Sequence, residues 1–107
     1  MTKRGYLLDL FPLVAQAIDT ACQRTEGFAS HEKIVEALLA QPEARQRLGD
    51  RASRDPKNKP VTWFADNIVA FFSQRYTVGR LGAYEGSFER RKEKSGWAYR
   101  RRKNPAR

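Results

Sequence analysis

The side chains with the clearest chemical capacity in this sequence are cations concentrated near its C-terminus. Residues 86–107 contain nine Lys and Arg against two Glu, which is +7 of the chain's total charge of +9. Guanidinium and ammonium groups bind phosphates and carboxylates, so the chemistry indicated is recognition of anions. Seven of these cations fall in one predicted β-hairpin and are candidate binding residues: Arg90, Arg91, Lys92, Lys94, Arg100, Arg101 and Arg102.

A second, smaller group of cations lies in the middle of the chain. Residues 50–60 contain two prolines and no apolar periodicity, which predicts an exposed basic loop. The chain as a whole has 21 Lys and Arg against 12 Asp and Glu and a pI ≈ 10.2. Such a balance is typical of proteins that bind nucleic acid. The candidate binding residues of this loop are Arg51, Arg54, Lys57 and Lys59.

The sequence offers little for catalysis or metal binding. His31 is the only histidine, and no acid or nucleophile has a recognisable spacing to it. One histidine and one cysteine cannot form a structural zinc site. Because Cys22 is the only cysteine, no disulfide within the chain can form, which suits a reducing compartment. We predict no enzymatic activity, no catalytic residue, no metal site and no cofactor.

The expected location is the cytoplasm, or the nucleoid if the source is prokaryotic. No apolar run approaches the ~20 residues that a membrane-spanning helix needs. The N-terminal residues Met1-Thr2-Lys3-Arg4 are basic, but Asp9 interrupts the apolar stretch behind them. A signal peptide and a membrane partner are therefore not predicted. A length of 107 residues suits a single domain, with residues 1–5 and 103–107 as flexible tails.

Apolar spacing predicts a first helix that begins after Asp9 and ends at Gly27. Asp9 is a plausible N-cap, and Pro12 falls in the first turn, where a missing N–H is tolerated. The apolar stripe of this helix, with the entry Tyr6-Leu7-Leu8, could close the core of the domain. The same surface could form the seam of a homodimer, and the sequence leaves both interpretations open.

A very short strand and two further helices are expected before the basic loop. The strand is predicted at Phe28-Ala29, and Ser30 is then a good N-cap for a second helix over residues 31–40. Pro42 suits the first position of a short helix that runs to Leu48. Gly49 is expected to end that helix.

The third main helix is predicted from Val61 to Tyr76, with its apolar and polar residues on opposite sides. The polar side carries amides and hydroxyls where a solvated helix would more often carry Lys and Glu. Asn and Gln can contact adenine through two hydrogen bonds, and Ser or Thr can contact any base. Trp63 is predicted either to pack under the basic loop or to contact a ligand. The candidate binding residues of this helix are Thr62, Trp63, Asn67, Ser73 and Gln74.

The basic hairpin is predicted over residues 87–102, with two alternative registers. Gly96 suits the left-handed position of a three-residue loop that would pair Glu93 with Trp97. A loop without this bulge would shift the pairing by one residue and exchange the two faces. In either register the arginines are expected outside. The hairpin is expected to dock on the helices through Phe88, Trp97 and Tyr99.

The predicted element order resembles the winged helix-turn-helix superfamily. The resemblance rests on Phe28-Ala29-Ser30 before the second helix, Thr62–Tyr76 as the third helix and Ser87–Arg102 as the wing. It implies an α+β fold that is mainly helical, with three main helices and a C-terminal hairpin in one domain. One departure is that a short helix and the basic loop separate the second and third helices, where a simple helix-turn-helix has a 3–4-residue turn.

The resemblance implies that the third helix enters the major groove of DNA while wing cations contact phosphates. We therefore expect sequence- or structure-selective binding of double-stranded DNA through residues 61–76 and 87–102, in a transcriptional regulator or a DNA-targeting module. One alternative is an RNA-binding protein associated with ribosomes or tRNA, because Trp97 and Tyr99 suit stacking on unpaired bases. Another is a winged-helix protein–protein adaptor, since a fold does not determine a function.

Overall fold

The computed structural model describes residues 10–25, 27–84, 86–94 and 96–102. These residues form a mainly helical α+β fold with a small antiparallel sheet, which confirms the predicted class. The predicted Asp9 cap, the Tyr6-Leu7-Leu8 entry and both predicted tails lie outside the described residues. The helices are α1 (Phe11–Thr25), α2 (His31–Ala40), α3 (Pro42–Ser53) and α4 (Val61–Thr77). The strands are β1 (Ala29–Ser30), β2 (Phe88–Glu93) and β3 (Gly96–Arg101), and a 3₁₀ helix spans Gly82–Tyr84.

The core joins α1, α4 and the hairpin through a group of aromatic rings around Phe72. The Phe72 ring is buried and meets Phe11, Phe88 and Tyr99 edge-on, with centroids 5.3, 5.5 and 6.1 Å away. Edge-to-face pairs at these distances add attraction beyond the burial of apolar area. The position of the hairpin relative to α4 is therefore set by packing in the core. The apolar stripe of α1 contributes the buried residues Val14, Ala17, Ile18 and Ala21, and Leu10, just before the helix, is buried as well.

The short strand β1 follows the first helix and adds a third strand to the hairpin. It pairs antiparallel with β3, so that the strand order is β1-β3-β2. It lies one residue later than the predicted Phe28-Ala29 strand. Ser30 ends β1 and caps α2, because its hydroxyl accepts the N–H of Lys33 at 3.3 Å. The predicted N-cap of the second helix is confirmed.

The prediction that Gly49 ends the third helix is wrong. The helix α3 continues through Gly49 to Ser53. The apolar side of the helix continues to the partly buried Ala52, and a glycine inside a helix costs only about 1 kcal/mol relative to alanine. Pro56 limits the helix instead, because a proline disfavours helical backbone at the residue before it. Of the predicted basic loop, residues 54–60 form the α3–α4 loop.

The hairpin adopts the register without the bulge. Lys92 lies opposite Trp97 and Glu93 opposite Gly96, so the connection between the strands is two residues long. Gly96 has φ 129°, a backbone conformation that would be strained for a residue with a side chain. Because the register differs by one residue from the bulged alternative, it exchanges the faces of β3 relative to β2. Arg90 and Lys92 share one face of the hairpin with Trp97 in this register.

One expectation about the docking of the hairpin is wrong. Of the predicted docking residues, Phe88 and Tyr99 are buried, but Trp97 is 38% exposed. Trp97 lies next to the hairpin connection, opposite Lys92, where the residue pairing brings it near the tip of the sheet.

Cys22 behaves as a partly buried small residue near the apolar stripe of α1. Its thiol donates a hydrogen bond to the carbonyl oxygen of Tyr99 at 3.2 Å. Burial raises the pKa of the Cys22 thiol, so the neutral S–H form is favoured in the folded protein. The contact ties α1 to the central strand of the sheet.

Candidate nucleic-acid interface

The exposed side of α4 is the polar side that the sequence predicts. With 17 residues, α4 is about 25 Å long at a rise of about 1.5 Å per residue. Ser73 is an exception because it is partly buried and its hydroxyl is hydrogen-bonded to that of Tyr99. We call the exposed residues of this side the polar stripe: Thr62, Trp63, Asp66, Asn67, Ala70, Gln74 and Thr77.

The amide of Asn67 is oriented by the helix itself. Its Nδ2 donates to the carbonyl oxygen of Trp63, one turn earlier, at 2.7 Å. An asparagine amide has a second N–H and a carbonyl oxygen that accepts, and this donor–acceptor pair is what a two-bond contact with adenine requires. Gln74 is exposed on the same side two turns further along α4. The two amides are thus available to a groove placed against the polar stripe.

Asp66 places a carboxylate in the middle of the polar stripe. Its Oδ1 lies 2.7 Å from Nε2 of His31, a contact that links α2 to α4. The Asp66 side chain is 63% exposed, so its negative charge faces any ligand of the stripe. A phosphate that approached this point would be repelled, which directs phosphate contacts towards the two ends of the helix.

Arg90 lies at the C-terminal end of the polar stripe. Its Nη1 donates to the hydroxyls of Thr77 at 2.8 Å and Tyr99 at 3.3 Å. Its guanidinium lies 3.9 Å from the ring centroid of Trp97 and 4.6 Å from that of Tyr76. Arg90 is partly buried, and these contacts hold its charge beside α4.

Lys92 continues this cationic edge towards the tip of the hairpin. Its Nζ lies 5.2 Å from the Trp97 ring centroid, and the residue is exposed. Lys94, at the connection between the strands, is also exposed. The edge formed by Arg90, Lys92 and Lys94 is therefore the part of the hairpin that can act together with α4.

The opposite face of the hairpin pairs its arginines with carboxylates. Arg91 bonds Glu93 at 2.8 Å, and Arg100 bonds Glu89 at 2.9 Å. Both guanidiniums also lie over the ring of Phe28, at 4.4 and 4.3 Å from its centroid. This face points away from Arg90 because neighbouring residues of a strand alternate between faces. The structure does not bring Arg91 and Arg100 to the polar stripe.

Arg101 and Arg102 have structural contacts at the base of the hairpin. Arg101 binds Asp19 of α1 through two hydrogen bonds, of 2.7 and 3.1 Å. The Asp19 carboxylate raises the pKa of the Arg101 guanidinium above its ordinary value. Arg102 is partly buried and donates to the carbonyl oxygen of Phe88 at 3.2 Å. The expectation that the hairpin arginines all remain outside is wrong for Arg90 and Arg102.

A cleft opens at the other end of the polar stripe, between the end of α3, the α3–α4 loop and the start of α4. Its volume is about 520 Å³. Trp63 forms one wall, is 42% exposed, and has Nζ of Lys59 at 5.6 Å from its ring centroid. Trp63 thus lies against the loop and keeps part of its ring open. We call this the tryptophan cleft; it is lined by Arg51, Arg54, Asp55, Pro56, Lys57, Lys59, Trp63 and Phe64.

The structure therefore divides the predicted binding residues into those beside the polar stripe and those away from it. Sequence reasoning missed the contact of His31 with Asp66 and the contacts of Phe28 with two arginines. The alternation of side chains would have indicated the Phe28 contacts once the strand pairing was known. The His31–Asp66 contact joins residues 35 apart in the sequence and had no local signal.

Comparison with known proteins provides no relative: no family model, no curated protein and no solved structure matches the chain. In the part of the chain that the structure describes, the helices are too short or too polar to cross a membrane. The same described ranges contain no cluster of three or more His, Cys, Asp or Glu suited to holding a metal ion.

Proposed function

We propose that this protein binds double-stranded DNA through the polar stripe, with cations at both ends of α4 contacting phosphates. One observation carries the proposal: a side of a long helix that offers amides and hydroxyls is exposed, and cations stand beside both of its ends. Lys59 lies beside Trp63 at the first end, and Arg90 contacts Thr77 at the second. A transcriptional regulator or a DNA-targeting module would have this activity.

The length of α4 supports this division of roles. The helix is about 25 Å long, whereas the major groove of B-DNA is about 12 Å wide. A helix laid across the groove would therefore extend over the phosphate backbones on both sides. The centre of the polar stripe, with Asn67, would face base edges. Lys57 and Lys59 at one end, and Lys92 and Lys94 at the other, would face phosphates.

We also propose that the fold is a winged helix with an inserted element. In support, α1, β1, α2, α4 and the hairpin follow one another in the order of that superfamily, and β1 joins the hairpin as a third strand. The insertion is α3 with the α3–α4 loop, which stands between α2 and α4. In this proposal the insertion has a role, because its loop provides the cations at the start of α4.

The test is fluorescence anisotropy with a labelled duplex, selected from a random library by enrichment of bound sequences and titrated at several salt concentrations. Neutralised phosphates predict a linear fall of log affinity with log salt, with a slope of about 0.9 per phosphate. Asn67→Ala should reduce discrimination between sequences by about 1–3 kcal/mol. Gln46→Ala, an exposed amide on α3, is the matched control. Absence of duplex binding at ~150 mM salt would contradict the proposal.

A second candidate, binding of RNA or single strands, is favoured by the two exposed tryptophans. Trp63 and Trp97 each have a lysine ammonium within 6 Å of the ring centroid. Aromatic rings beside cations suit unpaired bases, whose faces are open to stacking. The same titration with single-stranded DNA and structured RNA compares the candidates. Tighter binding of these ligands than of the duplex at equal salt would favour the second.

A further inference from the structure

The α3–α4 loop has a shape set by its own hydrogen bonds. The N–H of Asn58 donates to the carbonyl oxygen of Asp55 at 3.1 Å, and the N–H of Lys59 donates to Asp55 Oδ2 at 2.9 Å. Pro56 suits the second position of such a turn, and Asn58 has φ 55°, a conformation that asparagine tolerates. The turn therefore holds Lys57 and Lys59 in defined places beside α4.

The tryptophan cleft beside this turn combines an open aromatic ring with an excess of positive charge. Among the described residues that line it, four are cations and one is a carboxylate. That carboxylate, Asp55, already accepts the backbone N–H of Lys59. The volume of about 520 Å³ lies in the range of small-ligand sites, about 300–1,000 Å³. The cleft has the size and charge to take an anion with an aromatic group.

We propose that the tryptophan cleft binds an unpaired nucleotide, with the base stacked on Trp63 and the phosphate held by cations. Arg54 is suited to the phosphate because its ion pair with Asp50 is long, at 3.5 Å, and both side chains are more than two-thirds exposed. Such surface pairs are weak and readily exchanged. Lys57 and Lys59 provide further ammonium groups on the loop.

Lys59 is compatible with a base on the Trp63 ring. Its ammonium lies 5.6 Å from the ring centroid, near the outer limit of about 6 Å for a cation–π contact. A stacked base can displace an exposed lysine at little cost, and the released ammonium then lies within reach of the phosphate. Phe64 and Trp63 form an edge-to-face pair with their ring centroids 4.9 Å apart, which supports the position of the tryptophan ring.

The ring of Phe28 also lies beside cations, but it differs from Trp63 in how far its ring is covered and in how its cations are paired. Phe28 has guanidiniums within 4.4 Å of its ring centroid, from Arg91 and Arg100, and these cover the ring. Both guanidiniums are bonded to carboxylates, Glu93 and Glu89. A nucleotide there would have to displace two arginines and two ion pairs, so the inference is restricted to the tryptophan cleft.

The nucleotide has two sources with the same chemistry: an unpaired position in a strand, or a free mononucleotide. The assignment does not depend on duplex binding, because a free mononucleotide carries both groups that the cleft would recognise. The test uses the full chain with Trp97→Phe, so that Trp63 is the only tryptophan and its fluorescence reports on the cleft.

The titrants are adenosine 5′-monophosphate, adenosine, inorganic phosphate, a blunt duplex and the same duplex with a short single-stranded overhang. Saturable quenching by the monophosphate, by the overhang duplex beyond the blunt one, or by both supports the proposal and identifies the source. Adenosine and inorganic phosphate should bind at least tenfold more weakly than the monophosphate, since each lacks one recognised group. If neither the monophosphate nor the overhang saturates, the proposal is overturned.

Variants connect the signal to the residues, with a fluorescently labelled nucleotide as the probe. Trp63→Ala should weaken binding by ~5- to 150-fold, the range expected for loss of one base–aromatic stack. Trp63→Phe should recover part of this loss. Lys57→Gln with Lys59→Gln should weaken binding about tenfold or more.

Arg45→Gln removes an exposed cation of α3 that does not line the cleft, and it should leave nucleotide binding unchanged. An effect of Arg45→Gln equal to that of the lysine pair would show general charge attraction and overturn the site. Circular dichroism of each variant verifies folding. Blunt-duplex binding by the chain without these substitutions separates the two proposals. Duplex binding without saturable nucleotide binding overturns the cleft alone, and nucleotide binding without duplex binding overturns the duplex proposal alone.

Discussion

The two cationic regions at the ends of α4 use their charges in different ways. In the hairpin, Arg91, Arg100 and Arg101 are each bonded to a carboxylate at 2.7–2.9 Å. In the α3–α4 loop, by contrast, the backbone N–H of Lys59 is bonded to Asp55, and its ammonium lies over a tryptophan ring. The hairpin therefore has fewer cations available to a ligand than its sequence suggests.

The difference follows from secondary structure. On the paired strands of a hairpin, side chains on one face stand directly opposite one another, so oppositely charged residues contact across the strands. Arg100 lies opposite Glu89 in this way. The loop has no strand partner, and its acidic residue Asp55 is used to close the turn. Its lysines therefore remain exposed.

The largest expected effect is on the attachment of the hairpin to α4. Phe72→Ala should lower the free energy of unfolding by about 3–5 kcal/mol, because the buried ring joins α1, α4 and the hairpin. Urea denaturation followed by circular dichroism measures this change. Phe71→Ala is the control, since Phe71 is only partly buried and should cost less. Equal losses of unfolding free energy for the two substitutions would show that Phe72 is not the main contact that joins α1, α4 and the hairpin.

The comparison of the two regions predicts different salt dependences of duplex binding. Lys57→Gln with Lys59→Gln should reduce the slope of log affinity against log salt by about 2, because each lysine neutralises about one phosphate. Arg91→Gln with Arg100→Gln should change the slope little, since these arginines are paired with carboxylates. Anisotropy titrations between ~50 and ~200 mM salt measure both slopes. A larger change for the arginine pair would reverse the assignment of the two regions.

A smaller effect is expected from the hydroxyl of Tyr99, which connects the hairpin to the polar side of α4. Tyr99→Phe removes its hydrogen bonds with Ser73 and Arg90, and should lower the free energy of unfolding by about 0.5–1.5 kcal/mol. A double-mutant cycle with Ser73→Ala isolates the coupling of the two hydroxyls. Strict additivity in urea denaturation would indicate that the contact contributes nothing.

The smallest effect concerns the carboxylate on the polar stripe. Asp66→Asn should strengthen binding to all duplexes by less than about 1 kcal/mol, because it removes repulsion between an exposed carboxylate and phosphates. Glu32→Gln, an exposed carboxylate of α2 outside the stripe, is the matched control. Weaker duplex binding by Asp66→Asn would instead indicate that Asp66 accepts a hydrogen bond from a base.

Much of the helical part could be predicted from local patterns. The 3.6-residue period identified the buried and exposed sides of α4, and Ser30 identified the start of α2. Prediction failed at Gly49 because packing of the flanking residues outweighs the weak helix propensity of one glycine. Prediction left the hairpin register open because the turn residues suited two loops. The pairing of β1 with β3 had no local signal, because Ala29 and Tyr99 are 70 positions apart in the sequence.

The net charge of the chain follows from its composition, and the exposed side of α4 follows from the spacing of its apolar residues. The sequence by itself determines both. Which cations stay available to a ligand depends on partners from distant segments. Arg101 meets Asp19 across 82 positions, whereas Lys59 meets Trp63 within one turn of chain. Contacts of the first kind exist only after the strands and helices have packed, because that packing brings their charges within hydrogen-bonding distance.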